Sequence, residues 1–316
     1  SPITEVTEEH PFYVRERYRG WVREGGKSKR TTTWSEPKWV EAKDLEKGKH
    51  FIAMSENTRN KNIKNLTKEE SWLLGRYVAD GYIQDSKRPG RKNSYNRKTI
   101  FTIGNGKVDE FKSKLGVYHA TESKEGSITR MIITSERLME LARLCGRGSE
   151  NKRIPGYIMD LPKELLKEFM DGYMMGDGSK GPYKNQYQAN SVSKELIYQL
   201  GQVVQKLYNT PYQITMFERP KTTVIEGRTV NQKDTWMLRY YTKPTVRPEG
   251  HYIDGMLYMP IRSIEYNEEF EGLVYNFEVE GDNSYVANNL TVHNCKSYSV
   301  ANNPSHALGI AGEEGV

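Results

Sequence analysis

Apolar and polar positions change rhythm several times along this chain, and the changes divide it. Ile3 to Val14 alternates as a strand does, interrupted at Pro11. Residues 56–66 (ENTRNKNIKNL) are polar and read as a linker. Thr67 with Glu70 three residues on is a capping-box signature, and Leu73, Leu74, Tyr77 and Val78 then follow helical spacing. A second helix of the same kind occupies 161–178 (LPKELLKEFMDGYMMGDG). Helical apolar spacing also marks Leu196 to Leu207 and the LMELARLCGRG segment around Cys145. From residue 244 the pattern returns to strands and turns. Val274 to Val279 alternates, Gly281-Asp282-Asn283 signals a turn, and Ser284 to Ala287 and Leu290 to Val292 form short strands.

The first two helices contain a diverged repeat. LLGRYVADG ends at Gly81 and MDGYMMGDG at Gly178, an offset of 97 residues. Gly75 and Ala79 lie four apart, as do Gly172 and Gly176, so each pair makes one smooth helix face for close backbone approach. Each helix is expected to end at its glycine in a left-handed cap. Packed side by side, the helices bring Asp80 and Asp177 together. Two carboxylates at that distance repel unless a divalent cation lies between them. Mg²⁺ held there would activate water and stabilise the leaving oxygen of a phosphodiester.

Composition narrows the partners. At 316 residues, 36% hydrophobic and 28% charged, the chain has room for two cores. Mean hydropathy is -0.79, and no apolar run approaching membrane-spanning length and no signal peptide is evident, so a soluble cytoplasmic protein with no membrane partner is expected. The net charge of +6 fits a polyanion such as DNA. Part of it lies in Arg23 to Arg30 (REGGKSKR), read as an exposed hairpin loop. Two cysteines make neither a zinc site nor a disulfide framework. Cys145 is expected in the core.

The other chemical signal is His293-Asn294-Cys295. An Asn amide can attack its own carbonyl, close a succinimide and cut the chain after itself. A neighbouring His can polarise that carbonyl or protonate the leaving amine. The next Cys is placed to accept an acyl group.

Residues 273–295 (LVYNFEVEGDNSYVANNLTVHNC) resemble the C-terminal end of an intein, a self-splicing insert. Thr7 and His10 (T-x-x-H) resemble a second intein block, whose Thr and His polarise the upstream scissile amide. The W-x-x-A-x-x-L-x-x-G run from Trp39 to Gly48 resembles the same domain. The nonapeptides resemble the paired motifs of a LAGLIDADG homing endonuclease. The resemblance implies a multi-domain chain: a mostly-β Hint splicing domain in two pieces, 1–55 and 245–294, around a two-repeat α/β endonuclease (αββαββα-type) at 67–244. It implies a linker at 56–66 and a host segment from 295 to 316. It also implies that saddle strands follow each motif, for which Thr99 to Ile103, Ile128 to Ser135, Tyr212 to Phe217 and Trp236 to Tyr241 are available.

Further site residues follow from the same resemblance. Lys152, in a K-x-I-P context, is expected near the carboxylates, with Lys243 its weaker counterpart. Between the strands, Arg91, Lys92, Tyr95, Lys98, Lys221 and Arg228, with Lys243, are candidate contacts to double-stranded DNA. Thr7, His10, His293, Asn294 and Cys295 would serve splicing, which needs no cofactor. Asp80 and Asp177 would hold Mg²⁺ for cleavage. Asn276 and Asn283 stand where many inteins have an Asp and a His, so proton transfer would lean on His293. No opening Cys or Ser block matches Ser1-Pro2-Ile3-Thr4. The expectation is a truncated or naturally split N-terminus, its first segment supplied in trans, in a bacterial, archaeal or phage-encoded protein. A LAGLIDADG domain that only binds DNA or RNA is the alternative.

Overall fold

The computed structural model describes residues 4–55, 61–87, 95–225, 227–245, 249–267, 279, 281–294 and 307–309. The chain divides into two compact units. One comprises residues 1–57, 209–211 and 244–316; the other comprises 58–208 and 212–243.

The first unit opens with β1 (Val6–Thr7), β2 (Pro11–Glu24), β3 (Lys27–Trp34), β4 (Lys38–Glu41) and β5 (His50–Met54). The inner half of β2 is a hub. Phe12 faces Val40 of β4, and Val14 faces Ile52 of β5. Its outer half pairs with β3 from Arg17↔Trp34 to Glu24↔Lys27. That hairpin turns at Gly25 and Gly26, both at positive φ, the two-residue turn that matches strand twist. The basic stretch expected as a loop is therefore largely paired strand.

The second unit begins at α1 (Lys68–Asp80). Thr67 caps it: its hydroxyl accepts from Glu70 N, while the Glu70 carboxylate accepts from Thr67 N. There follow β6 (Gly81–Lys87), β7 (Tyr95–Gly104), α2 (Val108–Ser113), β8 (Ala120–Glu125), β9 (Ile128–Ile133), α3 (Glu136–Leu144) and α4 (Gly156–Met159). The second half holds α5 (Lys163–Asp177), β10 (Gly178–Lys180), β11 (Gln186–Ser191), α6 (Lys194–Tyr208), β12 (Tyr212–Phe217), β13 (Thr222–Ile225), β14 (Arg228–Asn231) and β15 (Thr235–Tyr241). One four-stranded antiparallel sheet runs β6-β7-β9-β8 and the other β10-β11-β15-β12, with β13 and β14 forming a separate hairpin. Each half is thus a helix, two strands, a helix and two strands in the same spatial order. The nonapeptide repeat marks a repeat of topology.

One sequence expectation needs correction here. Gly81 and Gly178 are extended rather than left-handed, and each begins a strand directly off its helix. The turn is so close that a Cβ on Gly81 would lie 2.6 Å from Tyr77 Cα, and one on Gly178 2.6 Å from Met174 Cα. Within the stretch expected as a linker, residues 61–66 form a local turn in which Asn62 both accepts from Leu66 N and donates to Leu66 O.

The chain returns to the β unit through β16 (His251–Ile253), β17 (Met256–Pro260), β18 (Glu265–Asn267), β19 (Ser284–Ala287), β20 (Leu290–His293) and β21 (Ala307–Gly309). The main sheet runs β16-β17-β5-β2-β20-β19. Met54 faces Leu257 and Phe12 faces Val292. Phe12, Val14, Phe51, Ala53, Tyr258 and Val292 are buried along it. β21 pairs with β1 and β18 in a smaller sheet. No helix among the described residues is long and apolar enough to cross a membrane.

Candidate functional site

In the α/β unit, α1 and α5 touch backbone to backbone. A Cβ on Gly75 would fall 1.9 Å from Phe169 O, and one on Gly172 2.0 Å from Trp72 O. At Gly176 the added carbon would meet Arg76 Nη1 and Ala79 Cβ. The small residues therefore interlock as their spacing suggests, and both helices end at the same level, on Asp80 and Asp177.

The electrostatics of those ends are unusual for surface helices. Burial, then the nearby Asp80 charge, raises the Asp177 carboxyl to about 7. Burial also raises Asp80, although the adjoining Arg76 guanidinium draws it back. Arg76 is buried, forms an ion pair with Asp80 and donates to Thr102 O at 3.1 Å. Lys152 is also buried, its ammonium pushed down to about 8 by burial. Its Nζ donates to Tyr77 O at 2.7 Å and Gly81 O at 2.9 Å, filling carbonyls at the end of α1. Lys107 does the same for α5, donating to Met175 O at 2.9 Å. Lys243, expected as the counterpart of Lys152, lies exposed beyond β15.

Asp177 and Lys152 open onto a cleft of about 460 Å³ whose polar wall includes Ser149, Ser179, Asn190, Ser191 and Thr235. Among the described residues, no three His, Cys, Asp or Glu side chains cluster as a metal cage. Two carboxylates suit Mg²⁺ nonetheless, since it keeps several waters and takes its remaining ligands from substrate phosphate. The raised carboxyls at Asp80 and Asp177 fit that ion: a divalent charge would relieve the mutual repulsion that burial intensifies.

Of the expected DNA contacts, Lys98 lies half-buried on β7 and Lys221 is exposed just before β13. Arg228 sits on β14, opposite Ile225. Arg91 and Lys92 fall outside the described residues. Arg76 and Lys107 escaped the sequence reading. Arg76 stands four residues before Asp80 on one helix face, a spacing that could have announced the pair. Nothing local announces Lys107, whose partner is 68 residues away.

In the β unit, pairing of β2 with β20 places the His10 and His293 segments side by side. His10 is buried, its imidazole held down to about 4 by burial and then by neighbouring His293. It is neutral at physiological pH. His293 Nδ1 lies 2.8 Å from the carbonyl oxygen of Asn294. Asn294 N donates to Asn283 O at 3.0 Å, fixing the strand end. The Trp39 ring meets His293 edge-on at 5.1 Å, and Ala42 and Leu45 are buried. Thr7 lies on β1, three residues before His10, whose N–H donates to Thr7 O. Cys295 and Asn276 are outside the described residues. Cys145 is wholly buried, its thiol raised to about 12 by that burial, as a core residue should be.

No family model matches the chain. It is similar to an iron-sulfur cluster assembly SufBD family protein of Mycobacterium tuberculosis, 26% identical over 314 residues, covering 92% of this chain and 35% of that protein. It is similar also to the transcription initiation factor IIB of Methanocaldococcus jannaschii (24% identical over 250 residues, 78% of this chain, 33% of that protein). A DNA polymerase of Thermococcus litoralis matches at 29% over 160 residues, 50% of this chain and 9% of that protein. The chain spans about a third of the first of these relatives. Similar solved structures include the homing endonuclease I-DmoI in complex with DNA and Ca (TM-score 0.39, 14% identity, 55% of this chain, 82% of that one). The N-terminal LAGLIDADG domain of DUF199/WhiA is another (TM-score 0.31, 17% identity, 59% and 87%). At these scores the likeness is loose.

Proposed function

We propose that this chain is an intein carrying a LAGLIDADG DNA endonuclease: a protein insert that splices itself out and cuts double-stranded DNA. One observation carries the nuclease half. Two topologically repeated helices end together on two half-buried carboxyls, of which Asp177 is raised to about 7 and opens onto a polar cleft. Asp80 and Asp177 would hold Mg²⁺, which when bound supplies a Lewis acid and a more acidic water for phosphodiester hydrolysis. Lys152 and Lys107 fix the helix ends that carry the acids, and Lys98, Lys221, Arg228, Lys243, Arg91 and Lys92 are the residues proposed to contact the duplex. The relatives add support of another kind. One stretch of sequence resembles parts of an assembly factor, a transcription factor and a polymerase, as an insert indifferent to its host would.

The experiment is cleavage of host-gene DNA lacking the insert. With Mg²⁺ the chain cuts both strands at one site. Asp177→Asn slows this by about 10³-fold or more, the several kcal/mol that loss of a metal ligand removes, with duplex affinity largely kept. Binding without cleavage by the unaltered chain selects the alternative, a domain that only binds. A single feature favours that alternative: Arg76 already presents a positive charge to Asp80.

For splicing, support comes from the 2.8 Å approach of His293 Nδ1 to the Asn294 carbonyl oxygen. An N–H there polarises the carbonyl as Asn294 Nδ2 attacks its carbon. The succinimide C–N bond forms, the bond to Cys295 breaks, and the freed amine takes up a proton. Thr7 and His10 would polarise the upstream amide, and Cys295 would receive the acyl group before that step. An N-terminal intein segment and the flanking host protein are the partners this requires. Asn294→Ala abolishes release of the segment after residue 294, read by mass spectrometry. Release at an unchanged rate overturns the assignment.

A further inference from the structure

The outer part of the β2–β3 hairpin has no task in either proposed reaction. Every residue from Tyr18 to Arg30 is exposed, so both faces of this two-stranded ribbon stand in water. A ribbon of that kind buries too little to be favoured on its own account. Its eight pairs, at roughly 3.3 Å per residue, extend it by about 25 Å.

The side chains are sorted by face. Directly opposed residues of an antiparallel pair share a face. Trp21 opposes Arg30, with Arg19 and Arg23 two residues to either side of Trp21; all four share one face with Arg17 at the base. Trp21 is 72% exposed. Glu24 is on the other face, opposite Lys27, and is within 3.9 Å of Lys29. The arginine face has no acid of its own. Arg17, lying over the Phe51 ring, has its charge disfavoured by burial and then by Arg19 and Arg30. Five cations and one carboxylate between 18 and 33 give +4 of the chain's formal +6.

We infer that this ribbon is a DNA-binding arm of the β unit, seating Arg19, Trp21, Arg23 and Arg30 against double-stranded DNA. The inference goes beyond the nuclease reading but rests on it for the choice of polyanion. A two-stranded ribbon fits the major groove of B-form DNA, whereas the A-form RNA major groove is too narrow to admit one. Arginine forks suit phosphates and guanine edges. Recognition is thus shared by both units, although the carboxylates belong to one.

The test uses the full chain, a mixed-sequence DNA duplex, an RNA duplex of the same sequence and anionic vesicles, titrated across salt. The altered chain carries Arg19→Ser, Arg23→Ser, Arg30→Ser and Trp21→Ala, its fold checked by circular dichroism. Its Kd for DNA rises roughly tenfold or more, and its log–log salt slope flattens by about 2 to 3. Lys27→Ser with Lys29→Ser, on the other face, changes both less. Arginine-to-lysine exchange at the three positions restores the slope, which a merely structural role would not require. Wild-type Kd and slope in the quadruple variant, with DNA still cut by the unaltered chain, overturn the arm and leave the nuclease reading standing. Tighter, equally arginine-dependent binding to RNA or vesicles overturns it too. If the unaltered chain binds no duplex even at low salt, the nuclease reading fails and takes the arm with it.

Discussion

Burial acts on both candidate sites, yet in opposite directions of charge. In the α/β unit it raises Asp177 to about 7, and in the β unit it lowers His10 to about 4. Each group is pushed toward its neutral form. The neighbours make the difference. Asp177 faces a second carboxyl, with Arg76 and Lys152 close by, so the pair favours any added positive charge. His10 faces another imidazole, so it resists a proton and keeps a neutral ring available for hydrogen bonding. The same desolvation thus leaves a carboxyl pair short of positive charge in one place and an uncharged imidazole in the other.

The largest test of that contrast is mechanical. Gly172→Val puts a side chain where 2.0 Å separates a Cβ from Trp72 O. Overpacking against backbone should cost more than about 3 kcal/mol and unseat both carboxylates. Hydrogen exchange read by mass spectrometry should show protection lost along α1 and α5 and kept along β2, β5 and β20.

A smaller effect comes from pH. The folded-state pKa of His10 lies below its ordinary 6.5, so the unfolded chain takes up the proton first. Stability present above 6.5 is lost as pH falls toward 4, by up to about 3 kcal/mol. Asp177 behaves in the opposite way. Its folded pKa exceeds the ordinary 3.8, so in EDTA the α/β unit loses stability as pH rises from 3.8 toward 7. Opening free energies from exchange rates, corrected for the intrinsic pH dependence of amide exchange, should have opposite slopes in the two units. His10→Gln should flatten one slope and Asp177→Asn the other; parallel slopes would erase the contrast.

Smallest is Lys152→Met. It removes a cation that lowers Asp177 and two hydrogen bonds to the end of α1. The pH midpoint of cleavage should move up by less than about one unit, with roughly 1–3 kcal/mol of stability lost.

Much of the α/β unit was legible in the sequence because its signals are local. Thr67 with Glu70 marks a helix start, and the four-residue spacing of Gly75–Ala79 and Gly172–Gly176 marks a contact face. The placement of Asp80 and Asp177 follows from these. The glycines after the motifs misled, since Gly before a polar stretch signals a left-handed cap as readily as a tight exit into β6 or β10. In the β unit, alternation marked single strands such as Leu290 to Val292 but not their order. His10 and His293 are 283 residues apart in sequence, and no periodicity brings them together. The sheet order does, by laying β20 against β2. The 2.8 Å approach of His293 to the Asn294 carbonyl is likewise a product of strand-end geometry, to which composition is blind.

The antiparallel pairing of β5 with β17 has a consequence for the gene. Met54 and Leu257 face each other across the ladder, yet the entire α/β unit is encoded between them. Chain ends held at ladder distance can be tied by a turn of a few residues as well as by a long excursion, since loop closure grows only logarithmically with length. The coding sequence for the α/β unit is therefore a cassette with a single point of entry. Its loss would leave a continuous sheet behind, and its gain would require no rearrangement of the strands that receive it.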